Sequence, residues 1–295
     1  MINYTGIDLN LSMASAFTTI LIPVDFTINT EVAIKKAIDL ALPGSTTIHL
    51  FHVENGSSFH YSDYIRIRSS RPNLSIAPDR KLQQWKEMIE GTLPGVSVCC
   101  WIARESNIQL SVIAKAKRLQ ADLVIIGKTS HHNWLPFLNT IDPNEISEHT
   151  GSAVLMVKPG SLHNQIRTII VPVKEAIPKK KMEILSTLCK KQRLRVHLVC
   201  FTRGNDVGQS SATLIQLYQW LKTVLQCPVE HAVLHGSNHP KALLAYAEKI
   251  NADTLLLQQE AETRIGWPNR QISDILPSYS KVQVLTVQPP IESLT

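Results

Sequence analysis

No run of apolar residues in this 295-residue chain approaches the roughly 18 to 20 needed to cross a bilayer. Nor does the opening stretch pair a basic region with an apolar one. The first Lys or Arg is Lys35, and Asp8 and Asn10 interrupt residues 1–16, so the expectation is a cytoplasmic chain with no membrane partner. Cysteine is scarce: Cys99, Cys100, Cys189, Cys200 and Cys227 form no CxxC pair and no Cys/His set with zinc spacing. An odd count is a poor disulfide framework, so the five read as reduced thiols, mostly buried in strands. Neither Gly-x-Gly-x-x-Gly nor the Gly-x-Ser-x-Gly elbow occurs, which disfavours a Rossmann dehydrogenase and a serine hydrolase. Gly127-Lys128-Thr129 looks like the end of a P-loop, but that motif requires a glycine where Asp122 stands. No enzyme class finds support.

What is present is the composition of a folded protein: 44% hydrophobic, 18% charged, with mean hydropathy near zero. The length suits two domains. The formal charge of +6 is unevenly placed. Residues 1–160 hold 14 Lys+Arg against 14 Asp+Glu, whereas residues 161–295 hold 16 against 10.

Short Val/Ile/Leu runs alternate with stretches of helical period, the pattern of a parallel sheet covered by helices. The first half offers strands at Thr19–Val24, Thr47–Val53, Val96–Ile102, Leu123–Ile126 and Ala153–Val157. Helix faces lie between them at Ile34/Ala37/Ile38/Ala41, Leu82/Trp85/Ile89/Leu93 and Ile108/Val112/Ala116/Leu119, the last after an N-cap at Ser106. The second half replays the order with strands at Thr168–Val173, Arg195–Cys200, Val229–Leu234, Thr254–Leu257 and Val282–Val287. Its helix faces carry Ile184, Leu185 and Leu188, then Leu214, Leu217 and Leu221, then Leu243, Tyr246, Ala247 and Ile250. Three anchors mark a true repeat: Thr19–Val24 with Thr168–Val173, Asn107–Gly127 with Asn238–Gln258, and Ala153–Pro159 with Gln283–Pro289. The expected domains are 1–160 and 161–295, linked through Lys158–Gln165. The first half carries a longer loop after its second strand, at Glu54–Pro78.

A strand ending Ile-Pro-Val-Asp25, a strand Ala121-Asp122-Leu-Val-Ile-Ile-Gly127, a short helix ending at His149 and a last strand Ala153–Val157 together resemble the universal stress protein family. The resemblance runs over nearly the whole chain as two copies, the first being clearer. It implies two tandem doubly wound five-stranded parallel-sheet α/β domains of the adenine nucleotide alpha hydrolase-like kind, strand order 3-2-1-4-5. It also implies an internal pseudo-dimer made through Ala153–Val157 and Val282–Val287, with further dimerisation left open.

Nucleotide-binding members carry glycines spaced after strand four, and Cβ-free turns let backbone N–H groups close round phosphates at a helix N-terminus. By that resemblance the first-half frame is Gly127, Ser130, Thr140 and Ile141, with Asp25 as the adenine-side acid. The spacing survives while two glycines do not. In the second half Gln258 and Lys174 replace the first glycine and the acid, and that copy reads as having lost its site.

Other constellations are weaker. His49 and His52 lie three apart on a strand and so on opposite faces, while His60 and the pair His131-His132 lie in loops, the pair without a nearby carboxylate or cysteine; no metal site is expected. Lys174, Lys179, Lys180, Lys181, Lys190, Lys191, Arg193 and Arg195 oppose only Glu175 and Glu183 around the first helix of the second half. They read either as a solvated face or as a surface for a polyanion. No aromatic residues are interleaved among them to stack bases, so nucleic acid is disfavoured and a protein partner preferred. The leading reading is a non-catalytic binding or regulatory protein of the stress type with degenerate nucleotide loops and no firm cofactor. Two alternatives stand beside it: a weak ATP or AMP binder through the first half, and a scaffold docking an acidic partner or nucleic acid through the basic second half.

Overall fold

Strands whose apolar residues do not alternate with polar ones are buried on both faces, and Thr19-Ile-Leu-Ile-Pro-Val24 is fully enclosed after its first residue. The structure, a computed structural model, describes residues 17–55, 77–128, 141–173, 177, 179–202, 207–225, 227–235, 238–258, 272 and 276–288. In the first half β1 (Thr19–Val24), β2 (Thr47–Asn55), β3 (Ser97–Glu105), β4 (Leu123–Gly127) and β5 (Ala153–Val157) alternate, among the described residues, with four helices. These are α1 (Ile28–Leu40), α2 (Pro78–Thr92), α3 (Ile108–Leu119) and α4 (Pro143–Thr150). The second half has β6 (Thr168–Pro172), β7 (Arg195–Thr202), β8 (Val229–His235), β9 (Thr254–Gln258) and β10 (Gln283–Val287). Its helices are α5 (Lys179–Lys191), α6 (Val207–Val224) and α7 (His239–Lys249).

The ten strands among the described residues form one sheet in the order β3-β2-β1-β4-β5-β10-β9-β6-β7-β8. Within each half the neighbours are parallel and the order is 3-2-1-4-5. The halves meet where β10 pairs antiparallel with β5, Leu285 opposite Leu155. One face packs Ile20, Ile22, Val24, Leu256 and Leu285 against α1, α2, α5 and α6. The other packs Leu21, Val124, Val154 and Val284 against α3, α4 and α7. Every strand expected from sequence is present, several extended by one to three residues at their C-terminal ends.

The N-cap of α3 is a correction. Asn107, not Ser106, caps it, with Oδ1 accepting from Leu110 N at 3.0 Å. Asn238 caps α7 identically, through Lys241 N at 3.0 Å, so the repeat is kept down to its capping bonds. A second shared device is an aspartate at the start of the fourth strand of each half. Asp122 Oδ2 accepts from Thr18 N and Thr19 N, both at 3.0 Å, and Asp253 Oδ2 accepts from Arg167 N and Thr168 N at 3.1 and 2.9 Å. Each carboxylate thus ties the first strand of its half to the fourth, along the line where the strand order reverses.

The cysteines also need correcting. All five are free thiols, but only Cys200 is buried, and Cys189 and Cys227 lie in α5 and in the turn after α6.

Candidate functional site

In open α/β sheets ligands bind beyond the C-terminal ends of the strands where strand order reverses, which here means between β1 and β4. Asp25 follows β1 at this point and is buried. Its Oδ1 accepts from Thr27 N at 2.9 Å, Thr27 Oγ1 at 2.7 Å and Thr30 Oγ1 at 2.6 Å, and its Oδ2 accepts from Asn29 Nδ2 at 3.4 Å. Thr30 Oγ1 also accepts from Asp25 N. Thr27 in turn caps α1. The carboxylate is therefore engaged in shaping the turn from β1 into α1.

That turn places Phe26 in the left-handed region, φ +58, a conformation costing a bulky residue of the order of 1–3 kcal/mol. Ring contacts hold it there. Phe26 stacks on Trp85 of α2 at 5.6 Å between centroids, meets His52 at 4.5 Å, and lies 5.6 Å beneath Lys81 Nζ. His52 Nδ1 is bonded to Val24 O at 2.9 Å, and burial lowers the pKa of the ring against the opposing pull of that carbonyl.

Gly127 ends β4. An added Cβ would lie 2.0 Å from Asn29 O, 2.5 Å from Asn29 C and 2.8 Å from Asn29 Cα, so the glycine admits the first turn of α1 onto β4. Positive φ is found at Gly44, Gly95 and Gly151 and not at Gly127. Lys128 donates its backbone N–H to Val157 O at 3.0 Å and has a buried side chain, so it is not a solvated loop residue. Ser130 and Thr140 fall outside the described residues. Ile141 is 1% exposed and packs in the core with Ile126 and Ile146, so only its backbone is left to face a ligand.

The far end of the frame is α4, and its first turn is acidic. Asp142 caps it through Asn144 N at 2.8 Å, Pro143 begins it, and Glu145 sits in the first turn. Gln109 of α3 fixes the arrangement, donating to Glu145 Oε2 at 3.0 Å and to Asp142 O at 3.3 Å while accepting from Asp142 N at 3.0 Å. Asp-Pro-x-Glu is a readable helix start, and sequence reasoning missed its bearing on a phosphate site.

A sequence model of the universal stress protein family matches residues 16–158. That half belongs to the universal stress protein family. A universal stress protein from Archaeoglobus fulgidus DSM 4304 superposes with a TM-score of 0.64 at 17% identity, over 92% of this chain and 98% of that one. A universal stress protein, described as putative, from Pseudomonas aeruginosa UCBPP-PA14 gives 0.57 at 14%, over 93% and 94%. The cytoplasmic domain of a prokaryotic cation chloride cotransporter gives 0.55 at 12%, over 92% and 96%. These identities establish a shared fold, and the coverage extends it over both halves. No curated protein matches the sequence.

In the second universal stress fold unit the equivalent crevice is built differently. Gln258 stands where Gly127 does in the first, and Lys174 lies outside the described residues. Lys181 of α5 is wholly buried and donates Nζ to Pro172 O at 3.2 Å, an ammonium at the C-terminal end of β6. The basic cluster read from sequence is thus not all on the surface, since Lys181 is buried. Lys181 points inward, Lys191 Nζ donates to Ala41 O at the C-terminus of α1, Lys180 pairs with Glu183 at 4.0 Å, and Arg195 pairs with Glu230 at 3.6 Å.

Lys191 bridges the halves, and burial lowers its pKa from 10.5 to about 8, against the opposing attraction of Asp39. The unfolded chain keeps this proton up to about pH 10.5 and the folded one loses it near 8, so between those values unfolding takes up a proton and stability rises with pH. Urea unfolding of the wild type and Lys191→Met at pH 7, 8.5 and 9.5 should show wild-type stability gaining on the variant as pH rises. A constant difference would contradict this.

The histidines separate as their spacing predicts. His52 faces α1 and α2, whereas His49 faces α3 and accepts from Trp101 Nε1 at 3.0 Å, with Lys115 Nζ 3.2 Å over the Trp101 ring. His197 holds the corresponding place in the second half, opposite Ile170 as His49 is opposite Leu21, with Tyr246 Oη 3.2 Å from its Nδ1. The ring partners differ between halves, Trp101 of β3 in one and Tyr246 of α7 in the other. Residues 60, 131 and 132 lie outside the described residues.

Proposed function

We propose that the chain is a non-catalytic, cytoplasmic stress-response binding or regulatory protein, a tandem of two universal stress units joined as an internal pseudo-dimer, in which neither loop is a working ATP site. The observation that carries this reading is the acidic start of α4. A helix N-terminus attracts phosphate through its open N–H groups and positive dipole end. Here Asp142 takes up the N–H of Asn144 and Glu145 adds a second carboxylate, so a triphosphate would meet like charge. Two further features agree. The Asp25 carboxylate is taken up within its own turn, and Gly127 has a packing reason to be glycine whether or not a ligand binds. In the second unit the Lys181 side chain and Gln258 occupy the strand ends. The inward course of Lys181 and Lys191 also leaves the basic helix a poorer surface for a polyanion than its sequence suggested.

One observation favours a weak adenine nucleotide site in the first half. Asn29 Oδ1, beside Asp25, is buried without a hydrogen-bond partner, an acceptor that an amino group would satisfy. Thermal-shift titration with Mg·ATP, AMP and GTP to millimolar concentration, on the wild type and Asp25→Asn, separates the readings. A ligand at 100 times its Kd stabilises by about 2.7 kcal/mol, a shift of several degrees. The expected result is no nucleotide-dependent shift. A shift with ATP and AMP but not GTP, lost in Asp25→Asn, would establish the adenine site and overturn the proposal.

A further inference from the structure

The sheet ends at β3 on one side and at β8 on the other, so among the described residues each of these strands has one edge without a strand partner. Exposed edges in natural proteins are usually blunted by charge or proline. β8 follows this rule, with Glu230, His231 and His235 along it. β3 does not, because Ser97–Ala103 carries neither a charge nor a proline, and Trp101 and Ile102 are 37% and 43% exposed.

Hydrogen bonds fix which groups the edge of β3 presents. In a parallel ladder the N–H and C=O of one residue point to the same side, and successive residues alternate. Ser97 N donates to Thr46 O, toward β2, whereas Val98 N turns away from β2 and donates to Glu90 Oε1 of α2 at 3.0 Å. Cys100, Ile102 and Arg104 therefore direct their N–H and C=O outward with Val98. The side chains of this set lie on the α2 face, where Cys100 Sγ donates to Leu82 O at 3.5 Å. Trp101 lies on the α3 face, held by His49 and Lys115.

We propose that β3 is a dimerisation edge, pairing antiparallel with β3 of a second copy of this chain about a twofold axis beside Trp101. In that register Cys100 stands opposite Ile102 of the second copy. Both face outward, so they exchange N–H···O=C bonds on each side of the axis. Trp101 meets Trp101 of the second copy at the closely spaced position, about 4.5 Å between Cα atoms, where cross-strand aromatic pairs are favourable. Arg104 falls opposite Val98 of the second copy, the residue whose N–H Glu90 holds. Its exposed guanidinium, 2.7 Å from Glu54 in its own chain, thereby stands beside the Glu90 carboxylate across the axis, and Glu90 itself is 3.9 Å from Lys86. Symmetry makes this charge match twice. A shift of two residues in either direction shortens the ladder and moves Arg104 away from Glu90. The contact closes on itself, so it yields a dimer and not a fibre.

Sedimentation velocity of the full chain from about 1 to about 200 µM covers the association expected of a small edge-to-edge interface and should show a monomer–dimer equilibrium with no larger species. Amide exchange should slow at Cys100, Ile102 and Arg104 as concentration rises and stay constant over Val229–His235. Ile102→Pro removes an outward N–H and none that faces β2, so it should weaken the dimer about tenfold or more with little change in melting temperature. Arg104→Glu should weaken it about tenfold, and Arg104→Glu/Glu90→Arg should restore it, which a folding defect would not do. Circular dichroism melts identify a variant that fails to fold, and wild-type sedimentation and exchange decide the matter in that case. The proposal is overturned if the chain stays monomeric at the highest concentration, if larger species form through β3 and β8, if the slowed amides lie outside β3, or if folded Ile102→Pro dimerises as the wild type does.

Discussion

Gly127→Ala should destabilise the chain by about 3 kcal/mol or more, measured by urea unfolding, and by the same amount with and without millimolar ATP. The methyl would stand 2.0 Å from a backbone carbonyl oxygen, a distance that no rotamer change relieves because the obstacle is main chain. Asn29 belongs to the first turn of α1, and that turn is fixed by the Thr27 cap and by the bonds from Thr27, Thr30 and Asn29 to the Asp25 carboxylate. Moving Asn29 away would therefore disturb the cap, the buried carboxylate and the packing of α1 on β4 together. The nucleotide reading of Gly127 makes a different prediction, in which the alanine variant folds normally and loses only ligand. An unchanged unfolding midpoint would show that the helix adjusts and that the glycine is kept for another reason.

The second half explains why the same position tolerates glutamine. Gln258 keeps a half-buried side chain there, and α5 has no packing on β9 comparable with that of α1 on β4 among the described residues. A glycine that looks like part of a phosphate loop is thus the mark of a close helix-to-strand approach, made in one half and given up in the other. The two units share sheet order, aspartate ties and asparagine caps, and differ where the strands end.

This division also explains what could be read in advance. The strands were legible because a doubly buried parallel strand must be continuously apolar, and Thr19–Val24 and Ala153–Val157 match the expected bounds. Strand order and the β5–β10 pairing came with the family resemblance and could not have come from periodicity. The direction of Lys181 and Lys191 was hidden, since an amphipathic pattern places a lysine on a helix face without saying whether its ammonium finds a carbonyl beyond the core. Asp25 was found as a site residue, but the local hydrogen bonds that occupy it depend on the turn geometry.

Gly160→Ala should cost about 2 kcal/mol and report on a different boundary. Gly160 lies in the single helical turn Pro159–Ser161 that follows β5, and an added Cβ would meet Tyr279 O at 2.0 Å and Tyr279 C at 2.1 Å. Gly160 N also donates to Ser278 O at 2.8 Å. The contact therefore joins the linker leaving the first half to the segment entering β10, the strand that pairs with β5. The effect should be smaller than at Gly127, because Tyr279 is 84% exposed and its turn has solvent into which to move. Shifting that turn pulls on the start of β10, so the variant should raise amide exchange at Gln283–Val287 and at Ala153–Val157 while leaving β2 and β7 protected. Exchange raised uniformly across the sheet would mean that the two halves unfold as one unit, and exchange unchanged at β10 would mean that the linker turn bears no part of the join.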